Sequence, residues 1–70
     1  MEIKAAINEL IGMMNDSMKP NEVRSAAAEG LGYAGGPEAR ASLVKMMKDS
    51  MQPNAVKAAA AKALGRAAQA

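Results

Sequence analysis

A 22-residue string occurs twice in this chain, and that repetition limits the fold more than any other feature. MMNDSMKPNEVRSAAAEGLGYA, starting at Met13, returns as MMKDSMQPNAVKAAAAKALGRA, starting at Met46, an offset of 33 residues. Sliding residues 5–37 onto 38–70 makes about half the positions identical. Leu10/Leu43, Asp16/Asp49, Pro20/Pro53, Asn21/Asn54, Val23/Val56, Leu31/Leu64 and Gly32/Gly65 are among them. Alanine-rich sequence produces chance matches, but it does not produce a shared DSM-x-PN block. A fixed period of this length means one supersecondary unit made twice and stacked.

Each copy reads as two helices. The first begins near Glu2, and its counterpart near Gly36 and Pro37, proline being suited to a first helical turn. Ala39, Leu43, Met46 and Met47 fall at i, i+4, i+7 and i+8, as do Ala6, Leu10, Met13 and Met14, which is one helical face. The DSM-x-PN block ends that helix. Pro20 and Pro53 cannot continue it, and Asn21 and Asn54 suit an N-cap. Val23, Ala27, Leu31 and Ala34, with Val56, Ala60, Leu64 and Ala67, then give a second stripe. Gly35, Gly36 and Pro37 separate the copies. No run alternates with the period of a strand. The expectation is an all-α superhelix of two tandem helical hairpins, one domain over 1–70 with repeats at 5–37 and 38–70. Small residues crowd the second helices, so these should pack closely while the Leu/Met helices stand wider, and unequal layers curve a stack.

Composition narrows the chemistry. The 70 residues hold no Cys and no His, one aromatic (Tyr33) and seven Met. Disulfides and thiolate chemistry are excluded, and the commonest general base and transition-metal ligand is absent. The carboxylates are scattered over polar faces with no buried pair suggested, so no catalysis and no cofactor are expected. GLGYAGG, from Gly30, lacks the preceding strand and the Lys-Ser/Thr of a phosphate loop, and Gly32 recurs as Gly65, which marks it as structural. Seven methionines could suggest a soft-metal or adaptable groove, but Met13, Met14, Met46 and Met47 sit at core spacing, with Met18 and Met51 beside the turn. No apolar run approaches the ~20 residues of a membrane span, and no signal peptide is apparent, so a soluble cytoplasmic protein is expected.

The string VRSAAAEGLGYAGGPEARASLVKMMKD resembles the HEAT-repeat family, and within it the short-repeat branch typified by the phycobilisome (PBS) lyases. Val23, Arg24, Ala26, Ala27, Leu31, Gly32, Pro37 and Glu38 carry the resemblance in the first copy. Val56, Lys57, Ala59, Ala60, Leu64 and Gly65 carry it in the second. The resemblance implies an α-solenoid, a fold that serves many unrelated complexes, and a non-catalytic protein-binding module is the expectation. In the family the turn Asp precedes the Arg by about six residues and pairs with it across repeats. Here Asp16 precedes Arg24, and Asp49 precedes Lys57, by eight, which works against a direct Asp–Arg ladder. Two repeats are also fewer than the ~3 that normally bury a continuous core. Self-association, as a homodimer or higher oligomer, or membership of a longer array is therefore expected.

A candidate protein-binding strip lies opposite the apolar stripes of the second helices: Glu22, Ser25, Glu29 and Tyr33, with Lys62 and Arg66. Glu29 and Lys62 should be lateral neighbours, and Tyr and Arg are the types that anchor interfaces. The bland alternative is an ordinary polar face with one Tyr over a helix end. Residues 1–37 carry three cations against five carboxylates, net −2, and residues 38–70 six against two, net +4. That asymmetry is what chance often gives, and it is also what head-to-tail contact between copies would use. Two further classes of function remain open. One is the lyase-like handling of a bilin chromophore, which a visible absorbance shift would reveal. The other is a weak nucleic-acid contact through Lys57, Lys62 and Arg66, which would bind with steep salt dependence.

Overall fold

The computed structural model describes residues 2–69. Four helices follow one another: α1 (Ile3–Asn15), α2 (Asn21–Ala34), α3 (Gly36–Lys48) and α4 (Asn54–Gln69). They form two antiparallel hairpins, α1/α2 and α3/α4, stacked so that α2 lies on α4. Among the described residues there is no strand, and no helix is long and apolar enough to cross a membrane.

The turns explain why the hairpins match. In both copies the Asp carboxylate accepts the backbone N–H two residues on, Met18 to Asp16 and Met51 to Asp49, each at 2.9 Å. This side-chain turn competes with the helix and ends it. Proline follows, and here the sequence expectation needs correcting. Asn21 is already the first residue of α2, and the cap position belongs to Pro20, extended at φ −60°, ψ 150°. Its carbonyl accepts the N–H groups of Val23 and Arg24, as that of Pro53 accepts those of Val56 and Lys57. Between hairpins, Gly35 (φ 67°) and Gly36 (φ 86°) occupy backbone that other residues rarely adopt. Their counterparts are Ala68 and Gln69, and α4 accordingly runs two residues longer than α2.

The two layers are unequal. Helices α2 and α4 touch along much of their length, whereas α1 and α3 meet only sparsely. Glycine makes the close approach possible. A Cβ added at Gly32 would lie 2.8 Å from both the Cα and the carbonyl oxygen of Ala63. The core between the layers includes Met14, Leu31, Leu43 and Val56, one from each helix and all fully buried, each contributing roughly 1.5–3 kcal/mol.

The methionine expectation holds for Met14 and Met46 and, half-buried, for Met47, but not for Met13. Met13 is 42% exposed while its counterpart Met46 is 2% exposed. Met46 borders a groove it shares with Asn15 of the first hairpin, and Met13 has no such neighbour among the described residues. Ala34, expected on the inner stripe, is exposed at the last position of α2.

Glycine at equivalent positions should therefore behave oppositely. Gly32→Ala gains about 1 kcal/mol of helix propensity but overpacks against the α4 backbone, for a net loss of about 1–2 kcal/mol. At Gly65 a methyl group would project into open space, so Gly65→Ala should gain about 0.5–1 kcal/mol. Urea denaturation of the two variants checks the sign of each.

Candidate protein-binding surface

The joint between the hairpins is held by a residue that reads as surface charge in the sequence. Arg24 is 3% exposed. Its Nε donates to the Met14 carbonyl at 2.8 Å, and one terminal nitrogen donates to Gln52 Oε1 at 2.6 Å. Gln52 in turn donates to Asp49 Oδ2 at 3.3 Å. The longer turn thus places glutamine between arginine and aspartate, and no direct rung joins Arg24 to Asp49. One side chain ties the end of α1, the start of α2 and the α3–α4 turn together. The C-terminal carbonyls of α1 favour a cation there. Sequence periodicity could have found it: Arg24 lies four residues before Ala28 and seven before Leu31, on a buried face.

On the outward side of α2 and α4 the expected strip is partly assembled. The Arg66 guanidinium carbon stands 4.4 Å from the centroid of the Tyr33 ring. Tyr33 remains 70% exposed, so the cation–π contact contributes about 0.5–1 kcal/mol. Ser25, half-buried, donates its hydroxyl to the Ala55 carbonyl at 3.4 Å. Glu22, Glu29 and Lys62 are exposed. The anticipated lateral pairing of Glu29 with Lys62 is not made. The contacts that polar side chains of this strip make between the two helices are instead Ser25 with the Ala55 carbonyl and Tyr33 with Arg66. Two long, exposed side chains gain too little from pairing to be fixed by equal register alone. The surface offers carboxylate, ammonium, guanidinium and phenol groups on a closely packed helical pair.

Among the described residues, no group of three or more His, Cys, Asp or Glu side chains could hold a metal ion. Two shallow grooves of about 300 Å³ and 280 Å³ flank the turns. The first is lined by Asn8, Glu9, Gly12, Met13, Asp16 and Lys19, the second by Asn15, Lys45, Met46, Asp49 and Gln52.

Antiparallel helical hairpins stacked in two unequal layers define an α-solenoid unit. The family model for HEAT repeats matches residues 3–70, and the chain belongs to the HEAT-repeat family. Proteins of this class are generally protein–protein interaction modules and typically non-catalytic. No curated protein and no solved structure gave a match.

Arg24→Ala should cost about 2–4 kcal/mol, because it opens a cavity and leaves the Met14 carbonyl without its donor. Lys57→Ala, at the half-buried equivalent position, should cost less than about 1 kcal/mol. Thermal and urea unfolding of both variants measures the difference.

Proposed function

We propose that this chain is a non-catalytic protein–protein interaction module, self-associating or part of a larger assembly, whose contact strip is the outward side of α2 and α4. Glu22, Ser25, Glu29, Tyr33, Lys62 and Arg66 form that strip. One observation carries the reading. The single aromatic side chain is kept out of a core short of large residues and is held in place on the surface by Arg66. A large amphipathic ring already fixed by a neighbour loses little conformational entropy on binding. Tyrosine and arginine together are the composition of interface anchors. We further place the chain in the short-repeat branch resembling the PBS lyases. The 33-residue period and the Val-Arg, Leu-Gly and Pro-Glu positions support that placement.

A photo-cross-linking residue replacing Tyr33 tests the strip in cells. Protein adducts from position 33, and few from Lys4 or Lys45 on the other layer, are expected. Adducts with nucleic acid alone, or equal yields from all three positions, would remove the reading.

A further inference from the structure

We propose that the module's partner is a second copy of the same chain, docked head to tail, the open face of α3/α4 in one copy seated on the open face of α1/α2 in the next. This rests on the interaction-module reading, extends its contact surface from the Tyr33–Arg66 edge of the strip to the open faces of the stack, and commits them to one occupant.

The joint inside the chain is the template. Across it Arg24 reaches Gln52 and Gly32 lies against Ala63, and on the first hairpin Met14, Arg24, Ala28, Leu31 and Gly32 are all buried. Thirty-three residues later these are Met47, Lys57, Ala61, Leu64 and Gly65, every one exposed or half-buried. On the second hairpin Met46, Val56, Ala59 and Ala63 are buried and Gln52 is half-buried. Their counterparts on the first are Met13, Lys19, Val23, Ala26 and Gly30, again exposed or half-buried. The apolar positions keep their size or shrink. Gly65 repeats the glycine that lets α2 approach α4, and Gly30 is smaller than the Ala63 it corresponds to. The two open faces are therefore the two halves of one interface, displayed on opposite ends of the molecule.

The grooves supply a second, independent match. At the internal joint, Asn15 from the end of α1 borders the groove of Lys45, Met46, Asp49 and Gln52. The counterpart groove on the first hairpin contains Gly12, Met13, Asp16 and Lys19, together with Asn8 and Glu9. What corresponds to Asn15 is Lys48, the exposed last residue of α3. Docked on the template, a neighbouring copy brings the Lys48 ammonium to a groove holding two carboxylates, Glu9 and Asp16. Gly12, where the internal groove has Lys45, leaves that approach open. The same operation sets Arg66 of one copy against Tyr33 of the next, repeating the internal contact, and joins the +4 half of one chain to the −2 half of another. One position is mismatched. The Arg24–Gln52 bond becomes Lys57 facing Lys19, so the joint between copies is weaker than the joint within.

A heterologous contact of this kind does not close on itself, and it predicts growth beyond a dimer. Sedimentation equilibrium over a concentration series should show a mass that rises past two chains and falls with added salt. Gly65→Leu should hold the chain monomeric without lowering its melting temperature at dilutions where the unsubstituted chain is itself dissociated, since nothing among the described residues lies within 4 Å of a Cβ there. Lys48→Glu and Glu9→Lys should each weaken association several-fold, and an equal mixture of the two variants should restore it. The pair Lys19→Gln with Lys57→Arg, which copies the internal latch, should strengthen it. A monomer at every concentration overturns the proposal, and so does a closed dimer that Gly65→Leu leaves intact. Either result leaves the cross-linking test at Tyr33 to judge the interaction module separately.

Discussion

Helix α2 comes so near to α4 at Gly32 that a single methyl group would run into the backbone at Ala63. Much of the remaining architecture follows from that contact. Alanine and glycine on the facing sides let the two helices meet along their length, while the bulkier Leu and Met side chains of α1 and α3 hold the other layer open. A stack with one thin layer and one thick layer bends toward the thin one. The four largest fully buried side chains, Met14, Leu31, Leu43 and Val56, belong to the core between the layers. A core poor in large apolar residues is thus drawn from all four helices into one cluster.

Arg24 solves a different problem. A hairpin turn leaves the last carbonyls of its first helix without helical partners, and in a stacked pair those carbonyls are shielded from water. The guanidinium satisfies one of them, at Met14, and uses its other nitrogen to reach Gln52 in the neighbouring turn. Its planar fork can address two acceptors at once, which an ammonium does less well. The second hairpin carries Lys57 at the same position, on a face that no further hairpin covers within these residues. The change from Arg to Lys tracks the loss of the second acceptor.

Much of this is legible in the sequence. The repeat, the four helices and the breaks between them follow from the DSM-x-PN block and the Gly-Gly-Pro segment, because proline, glycine and Asx turns act locally. Whatever depends on stacking stays hidden from such local signals. Periodicity shows that Met13 lies on an apolar face, but not that this face lacks a neighbour, so Met13 and Met46 look alike until stacking separates them. Asn21 is a good capping residue by type, yet Pro20 occupies the cap because its extended backbone presents the accepting carbonyl first. Glu29 and Lys62 share a register without pairing, since water serves both charges equally well. Arg24 is disguised by its charge, and only its spacing from Ala28 and Leu31 gives it away. Tyr33 and Arg66 also share a register and do meet, while the binding role of the strip they belong to is a proposal.

The fastenings across the α2/α4 joint have a mechanical meaning. Arg24 and Tyr33 are nine residues apart on one helix, about 13 Å at 1.5 Å per residue, so the two contacts pin opposite ends of the same seam. The seam is packed along much of its length, and grips at both ends add to its resistance to twist and shear. The grips also differ in kind. The inner one is buried and insensitive to ionic strength, and the outer one is bathed in solvent and screened by salt. Ionic strength therefore acts unequally on the two ends of the seam, screening the exposed Tyr33–Arg66 contact and leaving the buried Arg24 bonds largely alone.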